Sequence, residues 1–362
     1  MQENNVLDLS SNYKLTGCYI EIISNCNLRC LHCYNESGTS NEIMSMRAFK
    51  NAVGSIPSND KDADITISGG EPLLHPEVWK FIEVIDKKNI GDSLIITNAT
   101  LIDKEKAKKL AASNIGIQVS LNGSCEEIHD QLCGKGSFQK TLKGLECLVD
   151  EGLQNKIHVR YTLADFNKND VPDFLKLLIS YGIKTMSIAD LSNSGRAAAN
   201  LDALCYSVQE KENVKNRIAQ QVKNFEKDID INFKNDNYTG GCPLIYESEE
   251  PVPLSPRIDA FGNVYLCQAF LDEIYSFGNV YLDSLSKIVS SSKFSEFIWY
   301  CRFATRFIPE CRKCVWKEMC GQGCIANVLS STERLSPDGD CYFRRKDYLM
   351  KFLEKNDLTM SQ

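Results

Sequence analysis

The sequence predicts an α/β protein: an open, partial (β/α)6 barrel of the TIM kind, followed by a small cysteine-rich domain with a C-terminal helix. Three observations carry this. Short Ile- and Val-rich runs alternate with longer amphipathic runs six times between about residues 17 and 235. Beyond Tyr238-Thr-Gly-Gly-Cys242 that periodicity weakens, and glycines, aromatics and cysteines dominate. Sixteen cysteines in 362 residues are also far more than packing requires.

The elements follow in order. Strands are expected at Gly17–Ile23, Asp64–Ser68, Ser93–Thr97, Ile115–Leu121, Ile157–Leu163 and Lys184–Asp190. Helical patterns fill the gaps, at Met46–Val53, Glu77–Lys87, Lys104–Ala112, Phe138–Glu151 and Val171–Tyr181. A proline in the first turn marks the start of the last one. Such units imply a parallel sheet with helices outside. A doubly wound nucleotide-binding sheet is the rival, but no Gly-x-Gly-x-x-Gly follows the first strand. Leu201 to about Ile231 reads as one long charged helix. Asn263–Leu266 and Gly278–Tyr281 read as a small hairpin, and Phe343–Glu354 as a final helix. The expected divisions are an extension over 1–16, the barrel over 17–235, the cysteine-rich domain over 236–345, and a helix end and tail over 346–362. The second domain is too poor in periodic apolar residues for a large core, so metal ligation is expected to supply its folding energy.

Several function classes fall away. Forty-one basic against 48 acidic residues give a net charge of -7, the wrong sign for a nucleic-acid partner. No run is long and apolar enough to suggest a membrane span, and the polar start MQENNVLDLS is no secretory signal. The expected location is the cytoplasm, where disulfides are rare, so the cysteines need another role. Cys18, Cys125, Cys133, Cys147 and Cys205 are scattered and read as small buried hydrophobes. The others have metal-ligand spacing.

The first group is Cys26-x3-Cys30-x2-Cys33, directly after the first strand and followed by Tyr34. Three thiolates on one loop can hold three irons of a cubane cluster. The fourth iron is then open to an external molecule, which inner-sphere chemistry requires. A zinc site would take His32 as its fourth ligand, but adjacent residues rarely face one tetrahedral centre. Ser68-Gly69-Gly70-Glu71-Pro72 follows the second strand. Paired glycines there allow close backbone approach to a ligand, and a carbonyl or carboxylate can receive an ammonium group.

Taken together, these motifs resemble the radical S-adenosylmethionine superfamily. The resemblance makes Cys26, Cys30 and Cys33 the ligands of a catalytic 4Fe–4S cluster. Tyr34, Gly69, Gly70 and Glu71 would border the cofactor, with the Gly-Gly-Glu-Pro segment at its methionine amino end. Asn98, Ser120, Asn122 and Arg160, at or near strand ends, would reach the ribose and the methionine carboxylate. Asn98 and Asn122 equally suit plain turns, and Arg160 an ordinary surface. Asn122 stands where relatives often carry aspartate. Ser194-Gly195-Arg196-Ala197 looks like a Gly-Arg element of relatives, on the adenine side or at the start of the substrate pocket.

The second group is Cys242, Cys267, Cys311-x2-Cys314-x5-Cys320-x3-Cys324 and Cys341. It resembles the SPASM extension of enzymes that modify peptides and proteins, with two auxiliary 4Fe–4S clusters. By that resemblance Cys242, Cys267 and Cys324 hold the inner cluster. Cys311, Cys314, Cys320 and Cys341 hold the outer one. Seven thiolates leave one iron unclaimed: open, bound by substrate, or ligated by Cys301. Sulfatase-maturing relatives carry an aspartate directly after the cysteine that matches Cys267. Here it is Gln268, and an amide is no general base.

The expected activity is therefore a 5'-deoxyadenosyl radical abstracting hydrogen from a ribosomally made peptide, closing a thioether or carbon–carbon cross-link. Peptide epimerisation is one alternative. A tetrapyrrole side-chain decarboxylase or oxidase is the other, with Arg196 a candidate for a propionate; only about 16 residues precede the first strand, too few for a leader-binding domain. The expected partners are the peptide and a low-potential electron donor such as flavodoxin or ferredoxin, with the chain a monomer.

Overall fold

The computed structural model describes residues 13–192, 194–233, 251–320, 323–331, 337 and 341–356. Its strands are β1 (Tyr13–Leu15), β2 (Gly17–Ile23), β3 (Asp64–Gly69), β4 (Asp92–Thr97), β5 (Gly116–Ser120), β6 (Ile157–Leu163), β7 (Thr185–Asp190), β8 (Asp230–Phe233), β9 (Val252–Leu254), β10 (Arg257–Ile258), β11 (Asn263–Tyr265) and β12 (Gly278–Asn279). Ten of them form one sheet in the order β12-β11-β10-β2-β3-β4-β5-β6-β7-β8. From β10 to β8 every pairing is parallel. The sheet is open, with β8 and β12 at its two ends. β1 and β9 make a separate parallel pair.

The six expected strands are β2 to β7. β2 is buried at all seven positions, whereas β6 alternates buried Ile157, Val159, Tyr161 and Leu163 with the less buried His158, Arg160 and Thr162. The helices between them keep an apolar stripe toward the sheet. Met46–Val53 buries Ala48, Phe49, Ala52 and Val53, and Ser45 caps it by accepting from Ala48 N.

Two expectations need correction. The run from Leu201 to Ile231 is not one helix: Leu201–Leu204 stops, and a new helix covers Val208–Val222. The break is a capping box, in which Ser207 Oγ accepts from Glu210 N and Ser207 N donates to Glu210 Oε2. The end of the run becomes β8, whose Asp-Ile-Asn-Phe alternation pairs with β7. Secondly, the cysteine-rich part does not lack a core. Ile258, Val264, Tyr265, Phe270, Val280, Phe294 and Ile298 join the same buried cluster as the barrel strands. A 16-residue helix, Ser292–Phe307, supplies much of it. The cysteine-rich part also shares the barrel's sheet, because β10 extends it along the edge of β2. The hairpin between β11 and β12 is antiparallel as expected, though shorter. The last helix spans Cys341–Lys355. Among the described residues, no helix is long and apolar enough to cross a membrane.

Candidate active site

The carboxyl ends of β2 to β7 open into one cavity of about 520 Å³, the end of such sheets where loops carry chemistry. Cys26, Cys30 and Cys33 line it, together with Tyr34, Gly69, Gly70, Asn98, Ser120, Asn122 and Arg160. Gln268 and Ala269, just after Cys267, also line it. Glu71 does not.

Neighbouring backbone fixes the cysteine loop. Gly70 N donates to Ile23 O at 2.7 Å and Glu71 N to Asn25 O at 2.9 Å. A Cβ on Gly69 would lie 2.2 Å from Ile23 O, and one on Gly70 1.9 Å from Asn25 O. The glycines thus admit the protein's own loop, whereas the sequence suggested close approach to a ligand. On the other side, Arg196 donates to Cys30 O and Ser37 O, each at 3.0 Å. Gly195, at φ +56°, sits where a Cβ would be 2.2 Å from Tyr34 O. The Gly-Arg element therefore clamps the loop, and Arg196 also lines the cavity.

Glu71 is fully buried, and its carboxylate accepts from Leu73 N, Thr97 Oγ1 and Asn98 N. Burial nonetheless pushes its pKa up to about 7. Asn98 in turn donates from Nδ2 to Asn27 Oδ1 at 3.0 Å and approaches Cys26 Sγ at 3.9 Å. Asn122 is also committed to the frame: its Oδ1 accepts from Thr162 N at 2.8 Å, and its Nδ2 donates to Cys133 Sγ at 3.5 Å. Arg160 is exposed to the cavity and makes no ion pair among the described residues. Burial lowers His32 and His129 to about 4, so both are neutral at pH 7. Among the described residues, His32 Nδ1 and His129 Nε2 have no hydrogen-bond partner.

Two groups escaped the sequence reading. Asp190, at the end of β7, is the one carboxylate among the described lining residues, and buried Lys215 holds it at 2.6 Å. Glu21 lies inside β2 at 3% exposure. Arg257 of β10 meets it with Nε to Oε1 and Nη2 to Oε2, both at 2.8 Å. Arg257 Nη1 also donates to Phe270 O. Tyr34 Oη donates to Glu21 Oε1 at 3.3 Å and bonds Tyr19 Oη at 2.9 Å. This chain of bonds ties the cysteine loop to the segment around Cys267. An isolated glutamate in an apolar strand was its sequence signal.

Burial first, then Glu71 and, less, the neighbouring thiols Cys30 and Cys33 push Cys26 up to about 12, against a lowering bond from Leu28 N. At the far end of the molecule Cys311, Cys314, Cys320 and Cys341 surround a space of about 20 Å³. Burial raises Cys311 to about 11, and the other three thiols add to the rise. Cys267 and Cys324 are half-buried against the main core. Cys301 is fully buried within it, on helix Ser292–Phe307. Cys242 lies outside the described residues.

Comparison with known proteins agrees with this organisation. Residues 20–178 match the radical SAM superfamily, and residues 255–315 match SPASM, an iron–sulfur cluster-binding domain. The antilisterial bacteriocin subtilosin biosynthesis protein AlbA of Bacillus subtilis is 28% identical over 86% of this chain and 68% of its own length. The mycofactocin maturase MftC of Mycolicibacterium smegmatis is 26% identical over 89% of this chain and 81% of its own. In fold, the chain resembles native anSMEcpe with bound AdoMet at a TM-score of 0.70 and 19% identity, covering 94% of this chain and 98% of that one.

Proposed function

The chain belongs to the radical S-adenosylmethionine superfamily and carries its SPASM extension; from that premise we propose that it modifies a ribosomally made peptide, closing a thioether or a carbon–carbon cross-link. The cavity carries this reading. The three-cysteine loop forms one wall and Gln268-Ala269, the residues directly after Cys267, another, so the cavity runs from the first cysteine group to the edge of the second. The likeness to a bacteriocin biosynthesis protein and a maturase supports a peptide as the substrate class.

The thiols of Cys311, Cys314, Cys320 and Cys341 line one small space, and an all-thiolate set of four is the donor chemistry a 4Fe–4S cluster uses. In this reading Cys26, Cys30 and Cys33 hold the catalytic 4Fe–4S cluster. Cys242, Cys267 and Cys324 hold an inner auxiliary one, and the four remaining cysteines the outer one. When bound, S-adenosylmethionine supplies the radical that abstracts hydrogen. The protein's own groups bind and enclose. Arg160 presents a guanidinium suited to a carboxylate, while Tyr34, Gly69, Gly70, Ser120, Asn98 and Asn122 shape the pocket. Glu71 acts behind it, fixing the Asn98 backbone. The division into barrel, 17–235, and cluster domain, 236–345, follows this assignment, and a flavodoxin or ferredoxin would deliver electrons.

The test is anaerobic reconstitution with S-adenosylmethionine, a reductant and the short peptides encoded beside the gene. The expected result is 5'-deoxyadenosine well above a Cys30→Ala control, and a peptide lighter by two hydrogens. No 5'-deoxyadenosine above that control overturns the radical reading. Unchanged peptide mass with inverted stereochemistry replaces cross-linking by epimerisation, and carbon dioxide lost from a porphyrin replaces the peptide.

A further inference from the structure

The four thiols at the end of the molecule are not alone around their space. Lys317, Arg344 and Arg345 line it as well, and no carboxylate does among the described lining residues. Arg344 and Arg345 follow Cys341 by three and four positions on helix Cys341–Lys355, which places all three on one face. Arg344 is only 3% exposed, and its Nε donates to Cys320 Sγ at 3.2 Å. Arg345, on the exposed side, is hydrogen-bonded to Cys314. The Arg344 Nε–H is a charged donor aimed at one of the four sulfurs, in a position few other groups reach so closely. Cys26 of the first site differs. Its sulfur accepts from neutral donors, Leu28 N at 3.4 Å and Asn98 Nδ2 at 3.9 Å.

We infer that Arg344, reinforced by Arg345, raises the reduction potential of the outer four-cysteine cluster. The inference rests on the cluster assignment above. A cluster with four thiolates is anionic, and reduction adds one more negative charge. Donors and positive charge at the ligand sulfurs favour that reduced state. Arg344 is a positioning and tuning residue; it touches a ligand, not the substrate.

The test uses the fully loaded enzyme in a redox titration followed by electron paramagnetic resonance, with the outer signal identified by its loss in Cys314→Ala. Arg344→Met is expected to move the outer midpoint to lower potential, Arg344→Lys to restore part of the shift, and Arg345→Gln to give a smaller shift of the same sign. The midpoint of the first cluster stays where it is in all three. If Arg344→Met cannot hold its cluster, Arg344→Lys and Arg345→Gln decide. An unmoved outer midpoint in variants with intact clusters overturns the inference. Zinc in place of iron at these cysteines in the unmodified enzyme overturns the cluster assignment instead, and metal analysis reads that separately.

Discussion

The two cysteine sites at opposite ends of the chain are built by different means. Around the first, three thiols face a cavity of about 520 Å³ and the loop is held through its backbone: Ile23, Asn25, Cys30 and Ser37 each offer a carbonyl to Gly70, Glu71 or Arg196. Around the second, four thiols close on a space of about 20 Å³, and arginine meets sulfur directly. A loop fixed by its carbonyls leaves its side chains free to meet a visiting molecule. A closed site lined by cations suits storage of charge and excludes visitors. On the proposed assignment, the reactive centre is the one with fewer thiols and more surrounding volume.

Loss of single thiols gives the largest contrast. Cys30→Ala should abolish 5'-deoxyadenosine formation. Cys314→Ala should lose about four irons and the modified peptide, yet keep uncoupled 5'-deoxyadenosine formation. Equal loss of 5'-deoxyadenosine in both would erase the distinction. Next in size is the brace between the regions. Arg257→Met strands the buried Glu21 carboxylate and should cost about 3–5 kcal/mol in urea unfolding, most of it recovered in the double variant Glu21→Leu/Arg257→Met. If the double variant is no more stable than the single one, the loss lies in packing and not in stranded charge. Gly195→Ala forces a side chain onto φ +56° and against Tyr34 O. It should cost about 1–3 kcal/mol and loosen iron at the first site while the second keeps its own; equal loss from both would show a global effect.

The smallest is a change of slope. Glu71 holds its proton up to about pH 7 when folded, against an ordinary value of 4.5. Its contribution to stability is therefore complete below about 4.5 and lost as pH rises through 7. Glu71→Gln should flatten urea midpoints across that window, and an unchanged slope would place the titration elsewhere.

Much of this was readable in advance, for a physical reason. Short strands rich in β-branched residues stand out whether buried throughout or alternating, so Gly17–Ile23 and Ile157–Leu163 announce themselves, and Cys-x3-Cys-x2-Cys needs no partner elsewhere to be seen. What stayed hidden depends on distant or competing signals. Ser207 and Glu210 end one helix and start another within a run that looks uniformly helical. Phe294, Phe297, Ile298 and Cys301 carry a helical stripe, but serines and cysteines around them mask it. Glu21 looks misplaced until Arg257, 236 positions later, comes beside it. Gly69 and Gly70 were legible as close-approach residues, though not what approaches them.

That last separation has a consequence for synthesis. β2 is among the first strands to leave the ribosome, yet its outer edge is covered by β10, which is translated more than two hundred residues later. Until then the nascent barrel exposes unpaired backbone beside a carboxylate that lacks its counter-ion, the kind of surface that recruits other chains. Closure of this edge is a long-range contact and so a slow one. The Tyr34–Glu21–Arg257 support of the cysteine loop thus draws on the C-terminal third of the chain, and the loop is complete only when both ends of the sequence are in place.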